Sequence, residues 1–266
     1  MKVSYNELQG LCRKAFLGMG FEDGDASDAA DMVAWMQLHE LDGLEALNRG
    51  LDYLLAEQHA QEQAPVQLYA DGDLAVLDGQ GHSVLRSSSL ALELGFAKAR
   101  ARGFSVIKIR RCHNRQLIMG YLARIAGRGM NVTAFWRNAQ APQGDGNGEP
   151  PLTEQVVGFR ANSSVPEIRV YAVTQVPEEN ELNDGITLVF ANHVNLLPSM
   201  RSEFDYDLLA RHEESTLLAC RERAMLDGIP INDGVWNRLK DLAARILVES
   251  TDASRGGAGA GTTDND

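Results

Sequence analysis

His113 stands in the stretch Arg110-Arg111-Cys112-His113-Asn114-Arg115, directly after the apolar run "FSVIKI" and just before "LIMGYLARIAGRG". A strand that empties into a helix through a short polar turn can present an imidazole for proton handling. The same setting can use the ring merely to cap the helix. Positive charge from Arg110, Arg111 and Arg115 disfavours the imidazolium form, so a neutral ring is expected, able to accept a proton or to donate to a carbonyl. Local sequence leaves both readings open. Cys112 beside it makes a poor nucleophile–base pair, because adjacent side chains diverge in direction.

The remaining chemistry-bearing residues suggest less. His39, His59, His193 and His212 form no HxxxH or HExxH pattern, and Cys12, Cys112 and Cys220 form no CxxC pair, so no metal site is expected. There is no GxSxG elbow for a serine nucleophile. "DGQGHSVLRSSS" places Gly79 and Gly81 ahead of a helix, but it lacks both GxGxxG and the P-loop lysine. It reads as a tight turn.

These residues need elements to hold them. A capping-box spacing, Ser4 to Glu7, opens a helix whose apolar face carries Leu8, Leu11, Ala15, Phe16 and Met19. "EDGDASDAADMVAWMQLHELDG" and "LNRGLDYLLAEQHAQ" read as two more helices. After Pro65 the period changes. "VQLYADGDLAVLDG" is a hairpin around Asp71-Gly72-Asp73, and helices then alternate with strands from Ser87 to Trp136. "AQAPQGDGNGEPP" reads as a loop, "EIRVYAVTQV" and "GITLVFANHV" as strands around an acidic turn, and the chain from Phe204 as helix. The expectation is an α/β protein. It has a helical segment 1–65, a sheet core 66–200, C-terminal helices 201–249 packing on the first segment, and a flexible tail 250–266.

The balance of 25 basic and 37 acidic residues, net −12, repels phosphate backbones and argues against nucleic-acid binding. No stretch has the ~20 apolar residues of a membrane span. Scattered cysteines and an N-terminus without an apolar leader point to the cytoplasm.

The order of segments resembles the malate/L-lactate dehydrogenase-like family of NAD(P)-dependent oxidoreductases, which includes ureidoglycolate dehydrogenases and cyclic imino-acid reductases. That family is distinct from the Rossmann lactate dehydrogenases. The opening "VSYNELQG" to "HELDG", the stretch "DGQGHSV" to "RRCHN", and "ERAMLDGIPINDGVWNRLKDLA" carry the likeness over about half of the chain. His113 falls on the active-site histidine of the family's Asn-His-Phe-Gly motif, with Cys112, Asn114 and Arg115 around it in place of Asn, Phe and Gly. In "LDGLEALNRGLDYL", Asp42 matches the start of the family's Asp-Ser-His-Gly, while Gly43, Leu44 and Glu45 replace the rest. With one inserted residue, Arg49 and Tyr53 keep the spacing of the family's arginine and tyrosine.

The resemblance implies a shortened member of that non-classical Rossmann type. It implies a homodimer with a site between subunits, NAD(P) as cofactor, and a small 2-oxo, 2-hydroxy or imino carboxylate as substrate. His113 would then exchange the proton, Arg49 grip the carboxylate, Tyr53 hydrogen-bond the substrate, and Arg115 reinforce anion capture. The family's Gly-Thr-Asn-Pro loop and Asp-Met-Ala-Thr-Ser strand end are missing, so weak or absent dinucleotide binding is expected. The alternative is a non-catalytic ligand-binding or partner subunit that kept the scaffold. Trp35, Met36, Leu38, Leu41 and Leu44 suggest a dimer built through the N-terminal helices.

Overall fold

The computed structural model describes residues 1–57, 65–139, 152–173, 185–199 and 207–246. The expected loop over 140–151, the acidic turn over 177–184 and the tail 250–266 lie outside the described residues.

Helix α1 (Tyr5–Gly18) begins with the expected capping box: Ser4 Oγ accepts from the Glu7 amide, and the Glu7 carboxylate accepts from the Ser4 amide at 2.8 Å. Its apolar stripe, Leu8, Ala15 and Phe16, is fully buried. It packs on α2 (Asp23–Leu38), which turns the small residues Ala26, Ala29 and Ala30 inward and so lets neighbouring helices approach closely.

The third helix expected from sequence is interrupted. It is α3 (Gly43–Arg49) and α4 (Leu51–Glu57), separated at Gly50. Glycine is a poor interior helix former, and here a Cβ would stand 1.8 Å from Nδ2 of Asn114. Of the apolar residues expected at a dimer surface, Met36, Leu38 and Leu44 are buried in the chain's own core, at 7% exposure or less. The helices hide this part of the load by packing on one another, while Trp35 and Leu41 are only partly buried.

Strands β2 (Val66–Asp71) and β3 (Leu74–Asp78) form the expected hairpin, with Gly72 at φ +49°. Helix α5 (Val84–Arg102) starts at its Ser83 cap, ends on the left-handed Gly103, and leads into β4 (Phe104–Arg110). A 3-10 turn over Arg115–Ile118 runs into α6 (Met119–Gly127), followed by β5 (Asn131–Ala139), β6 (Leu152–Phe159), β7 (Glu167–Ala172), β8 (Ile186–Ala191) and β9 (Leu208–His212). These make one eight-stranded sheet in the order β2-β3-β4-β8-β5-β6-β7-β9, antiparallel throughout except for the parallel β3–β4 pair. Gly95 of α5 lets the fully buried Phe190 of β8 close onto the helix, where a Cβ would lie 2.2 Å from the ring.

The chain after residue 204 is helical only in part. β9 precedes α7 (Glu214–Asp227), because hydrogen bonding to β7 stabilises an edge strand whose own side chains are mostly half-exposed. β10 (Ile229–Pro230) pairs with β1 (Lys2–Val3), and α8 (Asp233–Ala243) packs on α1, where Gly18 abuts the Leu242 carbonyl.

Candidate functional site

Parallel strands β3 and β4 end level with each other, Asp78 beside Arg110. The turns that leave them therefore emerge at the same edge of the sheet, the usual place for a site in an α/β fold. Backbone bonds zip the two turns together: Gly79 N to Arg110 O at 2.8 Å, Gly81 N to Arg111 O at 2.7 Å, and Val84 N to His113 O at 3.0 Å. Asp78 accepts from the Gln80 amide at 2.8 Å and from Arg111 Nε at 2.8 Å. The Arg111 guanidinium, more than the turn amide, holds the Asp78 carboxyl below the usual carboxylate range. The amides of Gly79, Gln80 and Gly81 are thus engaged within the protein, and this glycine turn is no anion cradle.

His113 sits on this zipper, its side chain 27% exposed. It caps no helix; the left-handed Asn114 precedes the 3-10 turn. Its Nδ1 lies 3.0 Å from the Gly81 carbonyl oxygen, and its Nε2 lies 2.8 Å from Glu57 Oε1. Glu57, at the last residue of α4, is nearly buried, with 7% of its side chain exposed. Its Oε1 also accepts from the Ser83 amide at 3.0 Å, and its Oε2 lies 3.3 Å from Arg86 Nε.

Both imidazole nitrogens therefore face acceptors. A carbonyl can only accept, so Nδ1 carries a proton; Nε2 is buried beside the Glu57 carboxylate without making a hydrogen bond to it. The ring lies beside a buried acid, a neighbour the sequence reading did not include. The neighbouring arginines are turned elsewhere: Arg111 to Asp78, and Arg115 to the carbonyls of Cys112 (2.9 Å) and Arg137 (2.8 Å). The sequence reading missed Glu57. Its signal was faint, an acid four residues after Tyr53 on the same helical face.

Tyr53 is 68% exposed, and its ring centroid lies 5.6 Å from that of His113. Arg49 is exposed in the last turn of α3. Its neighbour Gly50 abuts Asn114, the neighbour of His113, so α3 and α4 run past the histidine turn. Arg238 of α8 fastens this junction through Asn48 at 3.0 Å and through Asp52. Arg115 is bonded to main-chain carbonyls. Among the described residues no group of three or more His, Cys, Asp or Glu is arranged to hold a metal ion. No helix among them is long and apolar enough to cross a membrane.

Residues 3–87 match the model of a protein family of unknown function, DUF3726. No curated protein sequence matches the chain. Among solved structures, the chain is similar to malate dehydrogenase from Pyrococcus horikoshii OT3 (TM-score 0.66, 15% identity, covering 94% of this chain and 96% of that one). It is also similar to delta1-piperideine-2-carboxylate reductase from Pseudomonas syringae pvar. tomato (0.59, 16%, 91% and 99%). Sulfolactate dehydrogenase from Methanocaldococcus jannaschii matches as well (0.60, 13%, 91% and 96%). The chain therefore has the malate/lactate dehydrogenase-like fold, at a sequence identity of 13–16% to these structures.

Proposed function

We propose that this protein binds a small 2-oxo, 2-hydroxy or imino carboxylate on a dehydrogenase-like scaffold without performing the proton transfer of a dehydrogenase. The observation that carries this reading is that neither His113 nitrogen is open to a ligand: Nδ1 is hydrogen-bonded to the Gly81 carbonyl, and Nε2 is buried against Glu57. A general acid or base needs a nitrogen within hydrogen-bond reach of its substrate. In this reading Arg49 grips the carboxylate, as a guanidinium fork matches two oxygens, and the exposed Tyr53 ring flanks the ligand. The amides of the 79–81 turn do not fit a dinucleotide's phosphates, because they are already bonded within the protein. The protein works as a homodimer, with the exposed apolar residues Val66, Leu68 and Tyr69 of β2 as the surface to be covered.

The second reading is an active NAD(P)-dependent oxidoreductase, supported by solved relatives that are dehydrogenases and reductases. There His113 would exchange a proton with the reacting oxygen or nitrogen, which requires release of one ring nitrogen.

One experiment separates the two: calorimetric titration with pyruvate and sulfolactate, beside an assay of NADH and NADPH oxidation with 2-oxo acids. The expected result is carboxylate binding that Arg49→Ala weakens at least about tenfold, with no cofactor-linked turnover. Turnover that His113→Gln abolishes would overturn the non-catalytic reading.

A further inference from the structure

A cavity of about 480 Å³ lies among α1, α2, α6, α7 and the turn after β6; no residue of the His113 site lines it. Its volume falls in the range of small-molecule sites, roughly 300–1,000 Å³. Trp35, Leu38 and Met225 give it apolar walls, and Asn162, Ser163 and Ser164 give it a polar side.

Its most informative residue is His39, which is 2% exposed. Nδ1 of His39 lies 2.6 Å from the Trp35 carbonyl oxygen, so that nitrogen is the donor. Nε2 is then the acceptor, buried and without a hydrogen-bond partner. Buried polar atoms rarely remain so, and an orphan acceptor beside a cavity calls for a donor from an occupant. Burial also disfavours the charged ring, as does Arg221, which keeps Nε2 an acceptor.

The cavity has a charged rim. Arg124 is held by Asp28 at 2.6 Å, with Asp31 at 3.7 Å. Arg221 of α7 is exposed and makes no hydrogen bond or ion pair among the described residues. α7 buries only Leu217 and Ala224; Arg223–Glu40 and Arg160–Glu214 ion pairs tether it to the body.

We propose that this cavity is a second ligand site, taking a flat aromatic carboxylate with a ring O–H or N–H: the ring between Trp35 and Met225, the ring donor on His39 Nε2, the carboxylate at Arg221. Each part of that chemistry answers one feature: apolar walls, an orphan acceptor, an unpaired cation. The site is independent of the function proposed for His113.

Calorimetry on the full chain with 4-hydroxyphenylacetate and indole-3-acetate tests it. Saturable binding with a Kd below about 1 mM is expected, weakened about tenfold for phenylacetate, which lacks the donor, and for indole, which lacks the charge. Arg221→Gln is expected to weaken binding about tenfold, whereas Arg49→Ala leaves it unchanged. Gly127→Leu is the steric test. A Cβ there meets nothing within 4 Å, and leucine favours helix, so the fold is kept while the cavity mouth is filled and binding is lost. Circular dichroism checks that the variant is folded. No saturable binding, equal binding of phenylacetate, or full binding by folded Gly127→Leu would each overturn the proposal.

Discussion

Replacing Glu57 by alanine should be among the most damaging substitutions near the His113 turn. Its carboxylate faces three groups at once: the Ser83 amide at 3.0 Å, His113 Nε2 at 2.8 Å and Arg86 Nε at 3.3 Å. Arg86 is anchored in turn, its guanidinium 3.6 Å from the Phe21 ring centroid and donating to the Met19 carbonyl. Removing one member of a buried charge pair costs about 3–5 kcal/mol, because the partner stays desolvated. For a chain of this size that lowers Tm by roughly 6–20 °C. Glu57→Gln retains an acceptor for Ser83 and loses only the charge, for about 1–3 kcal/mol. The informative measurement is a double-mutant cycle with His113→Ala, followed by equilibrium urea unfolding. If Nε2 is paired with Glu57, the double variant should be at least about 1 kcal/mol more stable than the sum of the singles predicts. Nitrogen-15 NMR of the imidazole should show protonated Nδ1 in the native chain. Additivity within about 0.3–0.5 kcal/mol would refute the pairing and return His113 to proton chemistry.

Asp78→Asn tests the other side of the zipper. The native carboxyl is held below its usual range by Arg111, so its contribution is complete above the unfolded value near pH ~4 and is lost as pH falls through the folded value. The variant should be less stable at pH 7 and show a flatter acid limb in pH-dependent unfolding; an unchanged limb would rule out this contribution. Gly50→Ala drives a Cβ into the Asn114 side chain and should cost about 1–3 kcal/mol, measured by denaturation, while weakening carboxylate binding at the α3–α4 junction. Of the three cysteines, Cys12 and Cys112 are buried, and burial pushes the Cys12 thiol up to about 12. In a thiol-labelling assay on the native protein, only Cys220 should react, and slowly, because burial and then Glu40 raise its pKa as well.

Local order could be read from the sequence wherever the physical cause is local. The capping box at Ser4 and Glu7, the Asp71-Gly72-Asp73 hairpin and the left-handed Gly103 at the end of α5 each depend on a few neighbouring residues, and each stands in the structure. The glycine turn at 79–81 was legible for the same reason. Strand β6 was not, since "LTEQVVGF" does not alternate cleanly and gains its place by pairing with β5 and β7. Nor was β9, an edge strand specified by the hydrogen bonds β7 offers it.

The candidate site divides along the same line. Residue type and spacing singled out His113, Arg49 and Tyr53. What His113 faces depended on the parallel β3–β4 pair, which levels two turns, and on the break at Gly50, which aims Glu57 at the ring across 56 residues of chain (113 − 57). The orphaned nitrogen of His39 likewise exists only because α2, α6 and α7 enclose it. Covalent neighbours determine how a segment bends. Partnership between a charge and a proton is determined by distance in space, and that distance is a property of the packed chain.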